Sequence, residues 1–113
     1  MRTLTLIKTL EYYDVPQIIV AADTTDTNYL CTLYQNNAEN GYLYLGVQIS
    51  ENRLAAFEEG QLDLRDAYTH PEADSGLYLV AVTNGVLNIV KSLPLQDINE
   101  EMLPVADYSY SIT

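Results

Sequence analysis

Apolar and polar residues alternate along much of this chain, as they do in β-strands that bury one face. The clearest example is residues 42–49, where four aliphatic side chains point one way and the residues between them point the other. Residues 3–10 alternate too and predict a strand, although their apolar spacing also suits one face of a helix. Residues 17–22 and 29–34 predict two further strands.

Turn-forming residues divide these strands from one another. Residues 23–28 and 35–41 are rich in Asp, Asn, Thr and Gly, and they predict two loops. Asn84 and Gly85 lie between two apolar runs and predict a β-hairpin over residues 76–90, because both residues tolerate the positive φ that a type I′ turn requires.

Helix signals are fewer and shorter. Ser50 is suited to cap a main helix over residues 51–59. A short helical turn is expected at residues 64–68, and another at residues 97–103, before a closing or edge strand at residues 105–113.

The sequence therefore predicts a single α+β domain over residues 1–113. Its core is mainly an antiparallel sheet of about five to seven strands, with one main helix and one or two short helical turns. Strand alternation does not decide between an open sheet and a partly closed barrel.

Charge narrows the classes of partner. Sixteen acidic and five basic residues give a formal net charge of −11, which opposes direct binding to nucleic acid or to an anionic membrane. The same charge would accelerate association with a basic protein, and it also serves solubility alone. A single cysteine and the absence of an apolar run of membrane-spanning length favour the cytoplasm.

Several short motifs resemble those of small bacterial domains of unknown function. They are L-x-Y-Y-D-x-P-Q from Leu10 to Gln17, Y-L at Tyr29, Y-L-x-V from Tyr44 to Val47, and G-x-x-D-L-R-D from Gly60 to Asp66. The resemblance covers roughly the first two-thirds of the chain. It implies a bacterial setting and no activity.

Candidate chemistry is sparse, and no catalytic residue, cofactor site or metal site is assigned. Cys31 lies in a predicted strand, where a thiol packs as a small apolar side chain, and the only histidine, His70, lies in a different segment. The segment from Asp63 to Asp74 contains four carboxylates and this histidine, yet it lacks the spacing of a known cation loop. A small metal-dependent enzyme built on that segment is the alternative to a binding protein.

Ten tyrosines and no tryptophan make the composition unusual. Tyrosine offers rigid contact area with a polar tip, so tyrosines on exposed strand faces suit a protein interface, whereas buried ones would be ordinary packing. The candidate interaction residues are Tyr42, Tyr44, Glu58, Glu59, Asp63, Asp66, Tyr108 and Tyr110.

Together these features predict a non-catalytic protein-binding module with a partner whose surface is basic. Small acidic phage and mobile-element proteins are similar in size and charge, so an inhibitor or immunity-type protein is the sharper form of this hypothesis. A self-associating structural subunit, which would pair through its final edge strand, is a further alternative.

Overall fold

The computed structural model describes residues 2–13, 15–37, 41–69 and 76–94, which form six strands and two helices. In chain order these are β1 (Arg2–Tyr13), β2 (Val15–Ala22), β3 (Asn28–Asn37), β4 (Gly41–Ile49), α1 (Glu51–Glu58), α2 (Leu64–Thr69), β5 (Leu77–Thr83) and β6 (Val86–Leu93). The described structure is therefore mostly β with some helix. No helix within these ranges is long and apolar enough to cross a membrane.

The strands form a closed antiparallel barrel in which each strand pairs with its neighbours in chain order. Pairing between the first and last strands closes the barrel, through Arg2 with Ile89, Thr3 with Asn88 and Leu4 with Leu87. The Thr3 hydroxyl also donates a hydrogen bond to Asn88 Oδ1 across this seam, at 2.8 Å. The choice between an open sheet and a barrel is thus settled in favour of closure.

The expected hairpin joins β5 to β6. Asn84 and Gly85 have φ values of +53° and +79°, as a type I′ turn requires. One expected loop is shorter than the composition indicates, because residues 35–37 extend β3 instead of leaving it. The helical turn expected at residues 97–103 and the strand expected at residues 105–113 lie outside the described residues.

One buried cluster takes side chains from all six strands and from neither helix, so it fills the inside of the barrel. Its members are Leu4, Ile19, Ala21, Tyr29, Cys31, Tyr44, Tyr78, Val80, Leu87 and Ile89. Within it the rings of Tyr29 and Tyr78 meet edge to face, with centroids 5.5 Å apart. Tyrosine, not leucine, thus supplies the largest side chains of the interior.

Gly46 makes room for this packing. A Cβ atom at this position would lie 3.1 Å from Cys31 Sγ and 3.4 Å from a methyl group of Val80. Because the interior is close-packed, a side chain here would have to displace one of these neighbours.

A second buried cluster lies between the helices and the outer face of the barrel. The helices contribute Leu54, Phe57, Leu64, Ala67 and Tyr68, and the strands contribute Ile18, Val20, Leu30, Leu45, Val47, Ile49, Leu77 and Leu93. Strands β2 to β5 therefore have buried side chains on both faces. Successive residues of β4, such as Tyr44 and Leu45, are buried on opposite sides of the sheet.

Candidate protein-binding surface

Helix α1 begins where β4 ends, and its first turn carries an exposed acid. The Ser50 side chain accepts a hydrogen bond from the Arg53 backbone N–H at 3.2 Å, which caps the helix. Glu51 follows the cap and is exposed. The cap fixes where the helix starts and thus the backbone position of Glu51.

The β2–β3 turn places a second acid near this helix start. Asp23 anchors the turn, because its carboxylate accepts from the backbone N–H groups of Thr25 and Thr27 at 2.8 Å and 3.1 Å. The Thr25 hydroxyl donates to the same carboxylate, and this is the main reason that its pKa falls to about 2. Asp26 follows the two central residues of the turn, has a φ of +63° and is exposed.

The turn and the helix start line an open cleft of about 330 Å³. Pairing of Asn28 with Ile49 brings these two segments side by side. The polar residues of the lining are Asp26, Thr27, Asn28, Gln48, Ser50 and Glu51, and Ile49 contributes apolar surface. The lining thus includes two carboxylates and two side-chain amides, whose oxygens can accept hydrogen bonds from a lysine or arginine side chain.

Further carboxylates line the helices beyond this cleft. Glu59 and Asp66 are exposed, whereas Asp63 is half-buried at the start of α2. Glu58 forms an ion pair with Lys8 of β1 and is mostly covered, so it ties α1 to the barrel. Of the four acids expected from the sequence to bind a partner, Glu59 and Asp66 are the two that are exposed.

The tyrosines of β4 do not lie on an exposed face. Tyr42 and Tyr44 do lie opposite the aliphatic residues of β4, but that face lines the barrel interior. Tyr44 is 2 % exposed, and its hydroxyl donates to the Pro16 carbonyl oxygen at 2.7 Å. Tyr42 is half-buried and packs against the interior cluster. Tyr44 is thus a core residue, and Tyr108 and Tyr110 lie outside the described residues.

Cys31 is inert packing, as its strand position predicts. It is fully buried, and burial raises the pKa of its thiol to about 12. His70 and the remainder of the segment to Asp74 lie outside the described residues. Elsewhere in the described ranges, no three His, Cys, Asp or Glu side chains come together as metal ligands.

Sequence reasoning missed the cleft. Asp26 belongs to a segment that the sequence predicts as a loop, and Glu51 belongs to the predicted main helix, so nothing in the sequence links the two. The signal that joins them is the pairing of β3 with β4, which places the residue before β3 next to the residue after β4. That register is not visible in the spacing along the chain.

Comparison with known proteins places the chain in a family without assigning an activity. No curated protein and no solved structure matches it. A family model described as a family of unknown function, DUF6575, matches residues 1–108, nearly the whole chain. The chain therefore belongs to the DUF6575 family of unknown function.

Proposed function

We propose that this domain is a non-catalytic protein-binding module that engages a basic surface of its partner. The observation that carries the proposal is the cleft between Asp26 and Glu51, which opens beside a helical layer with further exposed acids. We define the acidic surface as Asp26, Glu51, Glu59 and Asp66. All four side chains are exposed.

The local charge balance supports an electrostatic contact. From residue 51 to residue 69 the chain carries Glu51, Glu58, Glu59, Asp63 and Asp66 against Arg53 and Arg65. A surface with this excess of carboxylates attracts cations within about 8 to 10 Å at physiological ionic strength. It would raise the rate of encounter with a basic partner more than it would raise the affinity.

The cleft adds specificity to this general attraction. A lysine or arginine side chain in the cleft would find two carboxylates and the side-chain amides of Asn28 and Gln48 in its lining. The turn that holds Asp26 is fixed by the hydrogen bonds of Asp23, so the site needs little reordering on binding. A preorganised pocket of this kind suits one anchoring side chain of a partner.

In its sharper form the proposal is an acidic inhibitor or immunity-type protein, whose carboxylates occupy the positions that phosphates would take on a nucleic-acid-binding partner. The net charge of −11 in a domain of 113 residues supports this form. It acts in the cytoplasm of a bacterium under this proposal.

The test is affinity capture of the tagged protein from a lysate of its native host, at low and at high salt, read by mass spectrometry. The proposal predicts one stoichiometric partner with a basic surface, recovered at low salt and lost at high salt. Capture of a partner that survives high salt undiminished would reject the electrostatic contact. Recovery of no protein except the bait would reject the binding function.

A further inference from the structure

The tip of the β5–β6 hairpin is exposed to solvent. Thr83, Asn84, Gly85 and Val86 are all exposed, and a Cβ atom built on Gly85 would meet nothing within 4 Å beyond its chain neighbours. Thr83 pairs with Val86, so the ladder ends at these two residues. The peptide bond between Asn84 and Gly85 therefore takes no part in strand pairing and can rotate without disturbing the sheet.

Asparagine followed by glycine has a chemistry of its own. The Asn84 carboxamide carbon, Cγ, is electrophilic, and attack on it by the Gly85 backbone nitrogen closes a five-membered ring. A side chain on the second residue hinders this attack and restricts the backbone that must rotate. Glycine has no side chain, so the ring closes with the least hindrance at an Asn-Gly step.

The turn type decides whether the two reacting atoms can meet. Asn84 and Gly85 have φ values of +53° and +79°, and in such a type I′ turn the ψ of the first residue is about +30°, which turns the Gly85 nitrogen away from Cγ. Rotation of the peptide between them gives a type II′ turn, in which that ψ is about −120° and the nitrogen comes within reach of Cγ. Both turn types join the same two strands, and Gly85 tolerates either sign of φ. The hairpin therefore reaches the reactive geometry without losing a strand pair.

We propose that Asn84 is a site of spontaneous deamidation. The deprotonated Gly85 nitrogen bonds to Asn84 Cγ, the bond from Cγ to Nδ2 breaks, and Nδ2 leaves as ammonia after it takes up one proton from solvent. Water then opens the resulting succinimide. Cleavage between the nitrogen and Cγ leaves aspartate, and cleavage at the main-chain carbonyl leaves isoaspartate, in which the backbone runs through Cγ. The reaction consumes one water, releases one ammonia and does not depend on the proposed function.

The other asparagines of the described structure lack this combination of features. They lie in strands or in α1, and each precedes a residue that has a side chain; they are Asn28, Asn36, Asn37, Asn52 and Asn88. Ladder and helix hydrogen bonds hold the backbone at these positions, so the peptide rotation is not open to them. A second Asn-Gly step has its first residue, Asn40, outside the described residues, and its Gly41 is paired in the ladder of β3 with β4. Asn84 is thus the expected site.

Isoaspartate at this position would act on the closure of the barrel. It adds one main-chain carbon to a two-residue loop, so Thr83 and Val86 no longer meet in register. The next residue, Leu87, forms a seam pair with Leu4 of β1. Aspartate before glycine fits the same turn as asparagine does. We therefore expect the isoaspartate form, and not the aspartate form, to loosen the seam.

The test is incubation of the purified wild-type protein at neutral and at mildly alkaline pH, beside a sample unfolded in guanidinium chloride. Intact mass and peptide mapping locate the gain of about 1 Da that deamidation brings. In the folded protein we expect an acidic form to accumulate, faster at the higher pH because the attacking nitrogen must lose its proton. Conversion at Asn84 is expected to exceed that at any other asparagine at least about tenfold. Conversion of Asn84 in the unfolded sample alone, or faster conversion at another asparagine of the folded protein, would overturn the proposal.

Substitution checks the assignment independently of the mapping. Asn84→Gly keeps a dipeptide that favours a type I′ turn but has no carboxamide, so the acidic form should not accumulate. Asn52→Ala, at an exposed asparagine of α1, is the matched control and should accumulate it as the wild type does. Equal accumulation in both variants would reject Asn84 as the site. The isoaspartate form, separated by ion exchange, should melt below the aspartate form, and equal melting temperatures would reject the loosened seam.

Discussion

The hydroxyl of Tyr68 lies 2.7 Å from the carbonyl oxygen of Leu45 and joins helix α2 to the backbone of the barrel. The same hydroxyl lies 3.0 Å from both the Leu30 carbonyl oxygen and the Thr32 hydroxyl. Tyr68 is fully buried, and burial raises its pKa well above the ordinary value. One side chain thus fixes the helical layer, and the acids on it, against strands β3 and β4.

Replacing Tyr68 with phenylalanine tests this contact. Tyr68→Phe keeps the ring but removes the one hydrogen bond that the buried hydroxyl can donate, so we expect the free energy of unfolding to fall by about 1–3 kcal/mol. Urea denaturation followed by circular dichroism measures the change. The control is Tyr34→Phe, at an exposed tyrosine, for which a change within about 0.5 kcal/mol is expected. Equal stability of the two variants would show that the hydroxyl contributes nothing.

Gly46 offers a test of the barrel interior. Gly46→Ala brings a methyl group against Cys31 Sγ, and we expect a loss of about 1–3 kcal/mol in the free energy of unfolding. Removing the sulfur relieves the contact, so Cys31→Ala combined with Gly46→Ala is expected to cost less than the sum of the single changes by at least about 0.5 kcal/mol. Strictly additive losses would mean that the two positions do not meet inside the barrel.

Buried hydroxyl and thiol groups predict sensitivity to alkali. Burial raises the pKa of Tyr44 from 10.0 to about 12 and that of Cys31 from 9.0 to about 12. Because the folded values exceed the unfolded ones, this stability is fully present below pH 9 and is lost as the pH rises towards 12. The urea midpoint measured against pH should therefore fall over this range.

Substitution can separate the contribution of Tyr44 to this loss of stability in alkali from the contribution of Cys31. Tyr44→Phe has no hydroxyl to ionise, so its urea midpoint should fall less steeply above pH 10 than that of the wild type. Tyr12→Phe, at a residue 67 % exposed, should follow the wild-type slope. Identical slopes for all three proteins would place the alkaline transition elsewhere in the chain.

The anchored turn beside the cleft responds to acid instead. Hydrogen bonds lower the pKa of Asp23 from 3.8 to about 2, so its contribution to stability is present above pH 3.8 and is lost as the pH falls through about 2. Asp23→Ala should lower the melting temperature near neutral pH, and its difference from the wild type should shrink towards pH 2. Thr24→Ala in the same turn is the control. A pH-independent difference would argue against a charged anchor.

The sequence predicts the strands, the Asn84–Gly85 hairpin and the antiparallel pairing, because these depend on residues that are neighbours along the chain. Closure of the barrel depends on the bulges of β1 and on the register shift at Val90 of β6, which turn side chains to the opposite face. Such shifts interrupt the alternation, and their positions follow from packing between distant strands.

Only some residues of the candidate site could be predicted from the sequence, and the reason is again that packing between distant strands is not visible in it. Tyr44 alternates with aliphatic residues as an exposed residue would, yet both faces of β4 are covered, one by the helices and one by the barrel itself. Tyrosine suits either setting, because its ring is apolar and its hydroxyl can find a buried carbonyl oxygen. Glu59 and Asp66, by contrast, are charged on short helices, where the unpaired charge must stay in water.

The central claim is that the partner is bound at the acidic surface rather than by net charge alone. The decisive measurement is the affinity of the captured partner, by calorimetry, for two variants that each remove three negative charges. Glu51→Gln, Glu59→Gln and Asp66→Asn change the surface, whereas Asp97→Asn, Glu100→Gln and Glu101→Gln change residues outside the described structure. We predict that the first variant binds at least about tenfold more weakly, a loss of about 1.4 kcal/mol, and that the second binds nearly as the wild type does. Equal weakening of both variants, or of neither, would contradict the proposal.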